Sequence, residues 1–304
     1  MPRSTSRRWI LIGVAIAAVL LVWLVARSVR HGAVPVASAT NEAGTIPALD
    51  VLAKARTFHA EAQLIFNLPA KVGTVERPLR TITGQLSGDV KRTSDGTPEF
   101  TGTIYMDARG HGNALFADGQ IRLLKDRVLF WLDDLPSTLN PKGNLVHQWT
   151  AVNAPTLTTS NPLAVRQVLA DIWPTLKLKD KPTINGRAAD HYQGTVAPTD
   201  QKKLAAVFAG TASHNAGLDL LARLLTTYPV DRWEVWIDHQ NNELIGLQIH
   251  FIRPKAAPED TDAATVRLAF THYGETVSID TPKPITTIDP AIFVKLFSGQ
   301  SVGL

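Results

Sequence analysis

The sequence has no cysteine, and this absence removes several kinds of chemistry at once. It excludes disulfide bonds, thiolate metal sites, cysteine nucleophiles and a lipidated N-terminal cysteine. Catalytic signatures are also missing, because the chain has no GxSxG, no Walker loop and no GxGxxG. Its nine histidines never adopt metal-ligand spacing such as HExxH. We therefore predict a protein that is not an enzyme, binds no metal and has no cofactor.

Most of the chain also lacks an excess of either charge. The formal net charge is +4, but residues 1–31 hold five arginines and no acidic residue. Without those five, 26 basic residues stand against 27 acidic ones. A nucleic-acid-binding domain carries its basic surface on the domain itself. The composition therefore predicts no nucleic-acid partner.

Residues 9–26, WILIGVAIAAVLLVWLVA, form a long apolar run without a charge. As a helix it would span about 27 Å, close to the roughly 30 Å hydrocarbon core of a bilayer. Trp9 and Trp23 lie near its ends, where indoles favour the membrane interface. Three arginines precede the run and two follow it, which favours a short tail of residues 1–8 inside the cell. We predict a single-pass signal anchor in the cell membrane, with the large C-terminal domain outside the cytoplasm.

A cleaved signal peptide is the alternative for this segment. Ala37-Ser38-Ala39 has the small-residue form of a cleavage site. We favour the anchor because Arg27 and Arg30 separate the apolar run from that site. On this interpretation residues 27–45 are a flexible stalk and residues 46–304 are the extracytoplasmic domain.

Alternating apolar and polar residues predict strands through much of this domain. Glycines inside them at 84, 88 and 102 predict bends or close backbone approach, and Asp118-Gly119 predicts a hairpin turn. The strands are predicted near residues 58–66, 82–90, 100–106, 114–116, 120–124, 128–132, 231–251 and 266–279. Helices are predicted at residues 47–56, 163–173, 200–209, 217–228 and 289–297. Strands in blocks with helices grouped between them favour an α+β fold built on an antiparallel sheet.

The strongest strand pair is Asp231–Phe251, DRWEVWIDHQNNELIGLQIHF, which has one apolar face on each side of a polar turn. That face forms the protein's own core, lines a ligand cavity, or does both. The same alternatives apply to apolar residues of the first strand and of the helices. The candidate lining residues are Phe58, Leu64, Phe66, Phe208, Leu224, Trp233, Val235, Ile237, Ile245, Leu247, Ile249 and Phe251.

The polar residues predict no site. His59, His191, His250 and His272 occur on polar sides of strands or near turns, which favours surface positions. Asp133-Asp134 could suggest a pair of carboxylates, but consecutive strand residues point to opposite faces. We interpret them as the polar end of a strand.

Several short motifs together resemble one bacterial superfamily. They are Asn185-Gly186 followed by His191-Tyr192, VWID at Val235–Asp238, FTHYGETVSIDTP at Phe270–Pro282, and WLDDLP at Trp131–Pro136 followed by HQW at His147–Trp149. This pattern is similar to the LolA-like superfamily, which contains the lipoprotein carrier LolA and the mycobacterial lipoproteins LppX and LprG. The resemblance covers roughly residues 45–300. It implies a curved antiparallel half-barrel whose concave face is covered by helices, with a cavity for lipid or acyl chains.

The resemblance has two departures. A freely diffusing carrier has no tether, so the predicted anchor argues against shuttling across a periplasm. The mycobacterial relatives are anchored through a lipidated cysteine, which this chain lacks, so residues 9–26 would replace that tether. The sequence thus predicts a membrane-anchored protein that binds a lipid or an acylated ligand. The alternative is a non-enzymatic envelope scaffold or protein-interaction module with a filled core, whose protein partner is unknown.

Overall fold

A single large sheet dominates the fold. The computed structural model describes residues 45–68, 71–72, 75–76, 79–110, 115–124, 127–134, 145–153, 173–211, 222, 224–254, 256, 260–284 and 286–288. The strands are β1 (Thr57–Asn67), β2 (Lys71–Val72), β3 (Val75–Glu76), β4 (Leu79–Arg92), β5 (Pro98–Gly110), β6 (Leu115–Leu123), β7 (Arg127–Asp134), β8 (Trp149–Asn153), β9 (Lys177–Asp180), β10 (Thr183–Ile184), β11 (Arg187–Gly194), β12 (Val230–Asp238), β13 (Leu244–Ile252), β14 (Asp262–Thr271) and β15 (Thr286–Ile288).

Thirteen of these strands form the sheet, in the order β10-β11-β12-β13-β14-β1-β4-β5-β6-β7-β8-β15, and β9 also pairs with β11. Strands β2 and β3 form a separate pair. Pairing is antiparallel except between β8 and β15. The chain is therefore mostly β, with a large open curved sheet that is consistent with a half-barrel. The antiparallel curved sheet of the prediction is confirmed at this level.

The sheet has an apolar face and a polar face because its strands alternate as the sequence predicts. In β1, Phe58, Ala60, Ala62, Leu64 and Phe66 are buried, whereas the residues between them are partly or fully exposed. The neighbouring strands continue both faces in register, since Leu64 lies opposite Val266 on β14 and Gly84 on β4. Buried side chains of the apolar face belong to one continuous cluster.

Short helical segments cover this apolar face. They are α1 (Thr45–Lys54), α2 (Pro198–Thr211), a helical stretch at residues 224–227 and a 3₁₀ turn at Trp173–Thr175. Ala48 and Leu52 of α1 join the buried cluster, as do Leu204 and Ala205 of α2. Residues 163–172 of the predicted helix 163–173 lie outside the described residues, as do the predicted helix 289–297 and residues 217–221 and 223 of the predicted helix 217–228.

The predicted hairpin turn at Asp118-Gly119 is wrong. Strand β6 runs through both residues, and its irregular pairing with β7 falls between them. A Cβ atom on Gly119 would lie 2.0 Å from the carbonyl oxygen of Trp131. Glycine is thus required here by the close approach of β7, a role that sequence does not distinguish from a turn.

The turn of the β12–β13 hairpin is held by the buried carboxylate of Asp238. Its oxygens accept hydrogen bonds from the backbone N–H groups of Gln240 and Asn241, both at 2.8 Å, and from Arg187 Nε at 2.7 Å. Burial alone would raise the pKa of Asp238, but these hydrogen bonds and the Arg187 charge outweigh it and hold the pKa below its ordinary value.

We expect the Asp238 contribution to stability to be present above about pH 4 and to be lost as pH falls through the lowered pKa. Asp238→Ala should cost about 2–3 kcal/mol at pH 7, because charged hydrogen bonds are lost. Urea unfolding at pH 7 and at pH 3 measures both effects. Equal losses at the two pH values would contradict this assignment.

The predicted anchor at residues 9–26 lies outside the described residues and stays a prediction. Within the part of the chain that the structure describes, no helix has the length and apolarity needed to cross a membrane.

Candidate functional site

The structure places most of the predicted lining residues together on the apolar face. Nine of them belong to the buried cluster: Phe58, Leu64, Phe66, Leu224, Trp233, Val235, Ile237, Leu247 and Phe251. Ile249 packs against this cluster and is partly buried. Phe208 lies in α2, and its side chain is outside the described part of the structure.

This apolar wall is closely packed where it is described. Phe58, Val235 and Phe251 have no accessible surface. A ligand cavity of the usual 300–1,000 Å³ would leave accessible surface on the side chains that line it. Aromatic contacts replace that space, for example between Phe58 and Phe270 at 5.9 Å and between Trp173 and Trp233 at 5.5 Å. In this arrangement these side chains form core.

Ile245 is separated from the other predicted residues by an irregularity in strand pairing. The register between β12 and β13 shifts between Trp236 and Ile237, so that Ile237 lies opposite Leu244. Leu244 therefore joins the buried cluster, while Ile245 lines a groove formed by residues of the polar face. Simple alternation cannot anticipate this, because a bulge adds one residue to one strand.

Two adjacent grooves lie along the polar face. The first, which we call the β12–β4 groove, has a volume of about 470 Å³. Trp236, Ile184 and Ile245 contribute apolar surface to it, and side chains from β13, β14, β1 and β4 complete the lining. Their polar members include Gln63, Gln85, Gln248 and Arg267. The groove therefore combines an aromatic ring with several amide groups.

The second groove, which we call the β4–β7 groove, has a volume of about 580 Å³ and is more polar. Thr101, Thr103, Tyr105 and Gln120 line it together with Asp118. The pKa of Asp118 is raised by burial and by the nearby negative charges of Asp133 and Asp134. As a hydrogen-bonding surface, the groove offers mainly hydroxyl, amide and carboxyl groups.

A cluster of His191, Asp180 and Glu234 supports Trp236 beside the first groove. His191 is only 6% exposed and stacks on the Trp236 ring at 4.7 Å with an interplanar angle of 11°. His191 Nδ1 lies 2.9 Å from Asp180 Oδ1. Its Nε2 lies 3.3 Å from Glu234 Oε1, within ion-pair distance but without hydrogen-bond geometry. The surface position predicted for His191 is wrong, because the edge strand β9 and the indole cover it.

The other three histidines predicted to lie on the surface, His59, His250 and His272, are exposed or partly exposed. His59 makes contacts to Asp89 at 2.8 Å and Ser87 at 3.1 Å, and His250 contacts Asp262 at 3.0 Å. His272 is exposed in a turn. Among the described residues, no group of three or more potential ligands has metal-site geometry.

Comparisons with known proteins add little to this geometry. No protein-family model matches the chain, and no curated protein matches it. Among solved structures, it is similar to a β-barrel-like protein of the domain of unknown function DUF1849 from Brucella abortus. The alignment covers 71% of this chain and 97% of that chain, with 10% sequence identity and a TM-score of 0.15. At that TM-score the likeness carries no argument about function, and membership of the LolA-like superfamily stays a prediction.

Proposed function

We propose that this protein is a non-enzymatic binding domain that holds a lipid or an acyl chain between the apolar face of its sheet and the covering helices. We further propose that residues 9–26 anchor it in the cell membrane with the domain outside the cytoplasm. The observation that carries the lipid proposal is the width of the apolar wall. Among the described residues, side chains of ten consecutive strands, from β12 to β15, join one buried cluster.

The close packing of the apolar wall determines how an acyl chain would enter the space between the sheet and the helices. Because Phe58, Val235 and Phe251 have no accessible surface, a ligand must displace part of the helical cover. Displacing α1 would expose Leu52 and Ala48, at a cost of about 2–4 kcal/mol. Each methylene group that a ligand buries returns about 0.8 kcal/mol. About five buried methylenes would therefore offset the loss of one helix from the wall.

The side chain of Gln201 connects helix α2 to the segment that precedes β12. Gln201 Nε2 donates hydrogen bonds to the carbonyl oxygens of Leu225 and Tyr228, at 2.6 and 2.7 Å. Its Oε1 accepts from the N–H of Val230 at 3.1 Å. These three bonds connect α2 to the chain that enters β12, so Gln201 restrains movement of this part of the cover.

We expect Gln201→Ala to increase the rate at which the protein takes up a fluorescent long-chain fatty acid severalfold, because α2 loses its restraint. Stopped-flow fluorescence on the full-length protein measures the rate. Lys202→Ala is the control, since Lys202 lies on the same helix and is exposed. In parallel, native mass spectrometry of the full-length protein released from membranes should detect bound lipid.

The packed wall also favours the second candidate, an envelope scaffold or protein-interaction module with a filled core. Such a module would not admit an acyl chain. It would bind a partner protein through the edges of the sheet or through its polar face. Repeated failure to find lipid by mass spectrometry, together with no uptake by the parent protein or Gln201→Ala, would leave this scaffold as the function.

A further inference from the structure

A single row of paired residues crosses the polar face perpendicular to the strands. Each member lies directly opposite the next on the neighbouring strand. The row begins with Trp236 and Gly246, passes Ser87 and Thr103 at its centre, and reaches Gln120 and Trp131. Tryptophans thus stand at its ends, and small or polar side chains lie between them. We call this feature the tryptophan row.

Both grooves lie along the tryptophan row. Trp236, Gly246 and Ser87 line the β12–β4 groove, and Thr103 and Gln120 line the β4–β7 groove. Ser87 and Thr103 are directly paired, so the two grooves meet there. Neighbouring strands lie about 4.8 Å apart, so the strands of Trp236 and Trp131, seven spacings apart, are separated by about 34 Å along the sheet. The arrangement is a trough for an elongated ligand.

At one end of the tryptophan row, the indole of Trp236 provides a flat contact surface in a fixed orientation. His191 stacks on one side of the ring and fixes its orientation. On the next strand Gly246 has no side chain, and a Cβ there would lie 3.4 Å from Trp236 Cε3. Gly246 is buried, and its lack of a side chain lets the edge of the indole lie close to β13.

The floor of the trough offers side-chain groups rather than backbone groups. Its strands pair on both edges, so their N–H and C=O groups are used within the sheet. A peptide that binds by adding a strand needs a free sheet edge, which the floor does not have. Instead, Gln63 and Gln85 present amides that can both donate and accept hydrogen bonds, whereas the Gln248 amide already donates to Glu234 and accepts from Arg267.

The floor has no excess of basic groups, because in the β4–β7 groove the carboxyl groups of Asp89, Asp118 and Asp133 stand against the single guanidinium of Arg122. In the β12–β4 groove, the carboxylate of Glu61 faces the same groove as the guanidinium of Arg267. Nucleic acids and other polyanions require an excess of basic groups, which is absent from this floor. An uncharged ligand with many hydroxyl groups matches it. Sugar rings have hydroxyls at their edges and C–H groups on their faces, which suit amides and the electron-rich face of an indole.

We propose that the trough binds an uncharged oligosaccharide, with its ring faces against Trp236 and its hydroxyls on the glutamines of the floor. The site lies on the opposite face of the sheet from the apolar wall. Its occupancy is therefore independent of lipid binding, and either proposal can fail without the other.

Isothermal titration calorimetry of the full-length protein tests the proposal, in a polyoxyethylene detergent because sugar-based detergents would compete. The probes are cellohexaose, chitohexaose and maltohexaose. We expect at least one to bind, and the double variant Gln63→Ala/Gln85→Ala to weaken that binding about tenfold or more. Gly246→Ala should also weaken it, because the added methyl group would lie 3.2 Å from the carbonyl oxygen of Leu268 and 3.4 Å from Trp236 Cε3 and would shift the indole. Thr83→Ala is the control, since Thr83 lies on the polar face of β4 outside both grooves and should leave affinity within twofold.

Three results would overturn the proposal. The first is that no neutral hexasaccharide binds at millimolar concentration. The second is that binding occurs but is unchanged in both the double variant and Gly246→Ala, while circular dichroism shows that they are folded. The third is that only a charged probe, hexagalacturonate, or an uncharged hexapeptide binds.

Discussion

Gly102→Ala should destabilise the protein by about 3 kcal/mol or more, although it adds a single methyl group. Gly102 on β5 lies directly opposite Gly88 on β4. A Cβ on Gly102 would lie 2.2 Å from the carbonyl oxygen of Ser87 and 2.8 Å from the Cα of Gly88. Both are backbone atoms, so no side-chain rotation relieves the overlap. The two strands would have to separate in the middle of the sheet.

Thermal unfolding of the full-length protein measures this effect. A loss of 3 kcal/mol corresponds to a fall in Tm of about 6–12 °C for a domain of this size. Gly186→Ala is the matched control, because a Cβ there meets nothing within 4 Å and only its φ of +79° opposes the change. The control should lose about 1 kcal/mol. Similar melting temperatures for the two variants would show that the backbones of β4 and β5 are farther apart at Gly102 than these distances indicate.

The sequence predicts much of the sheet because period-two alternation is a local property of each strand. Phe58–Phe66 and Trp233, Val235 and Ile237 of β12 lie on the predicted apolar face, and the glycines at 88 and 102 lie where the strands approach closely. Alternation cannot locate irregularities that depend on the neighbouring strand. The close approach of β7 at Gly119 and the shift that turns Ile245 to the polar face both arise in this way.

The polar-face grooves were harder to predict because their residues come from distant parts of the chain. Trp236, Gly246 and Ser87 come together only through strand order, with β14 and β1 inserted between the hairpin and β4. In the sequence these residues are the polar or small positions of separate strands. One clue was present, since Trp236 is a large aromatic residue on the polar side of its strand. The stacking of His191 on its ring depends on the β11–β12 pairing, which the sequence does not reveal.

Phe58→Ala should cost about 3–5 kcal/mol, the usual loss for a fully buried phenylalanine. Phe58 has no accessible surface and contacts the rings of Phe270 at 5.9 Å and Tyr273 at 6.0 Å. The variant would leave a cavity in the centre of the apolar wall, because these neighbours are fixed on other strands and in the turn after β14. Urea unfolding measures the loss. Ile65→Ala is the control on the same strand, since Ile65 is on the opposite face and should lose about 1 kcal/mol.

Phe58→Ala also distinguishes between an apolar wall that opens to admit a ligand and one that stays packed. If helices leave the wall to admit an acyl chain, the space left by Phe58→Ala gives the chain additional room, and uptake of the fluorescent fatty acid should increase. The ligand would then recover part of the lost stability, because binding to the folded state raises its unfolding free energy. If the wall is a permanent core, the variant should unfold at lower urea concentration and the fatty acid should not restore it. A loss below about 1 kcal/mol would contradict both alternatives, since Phe58 would then not be packed as its contacts indicate.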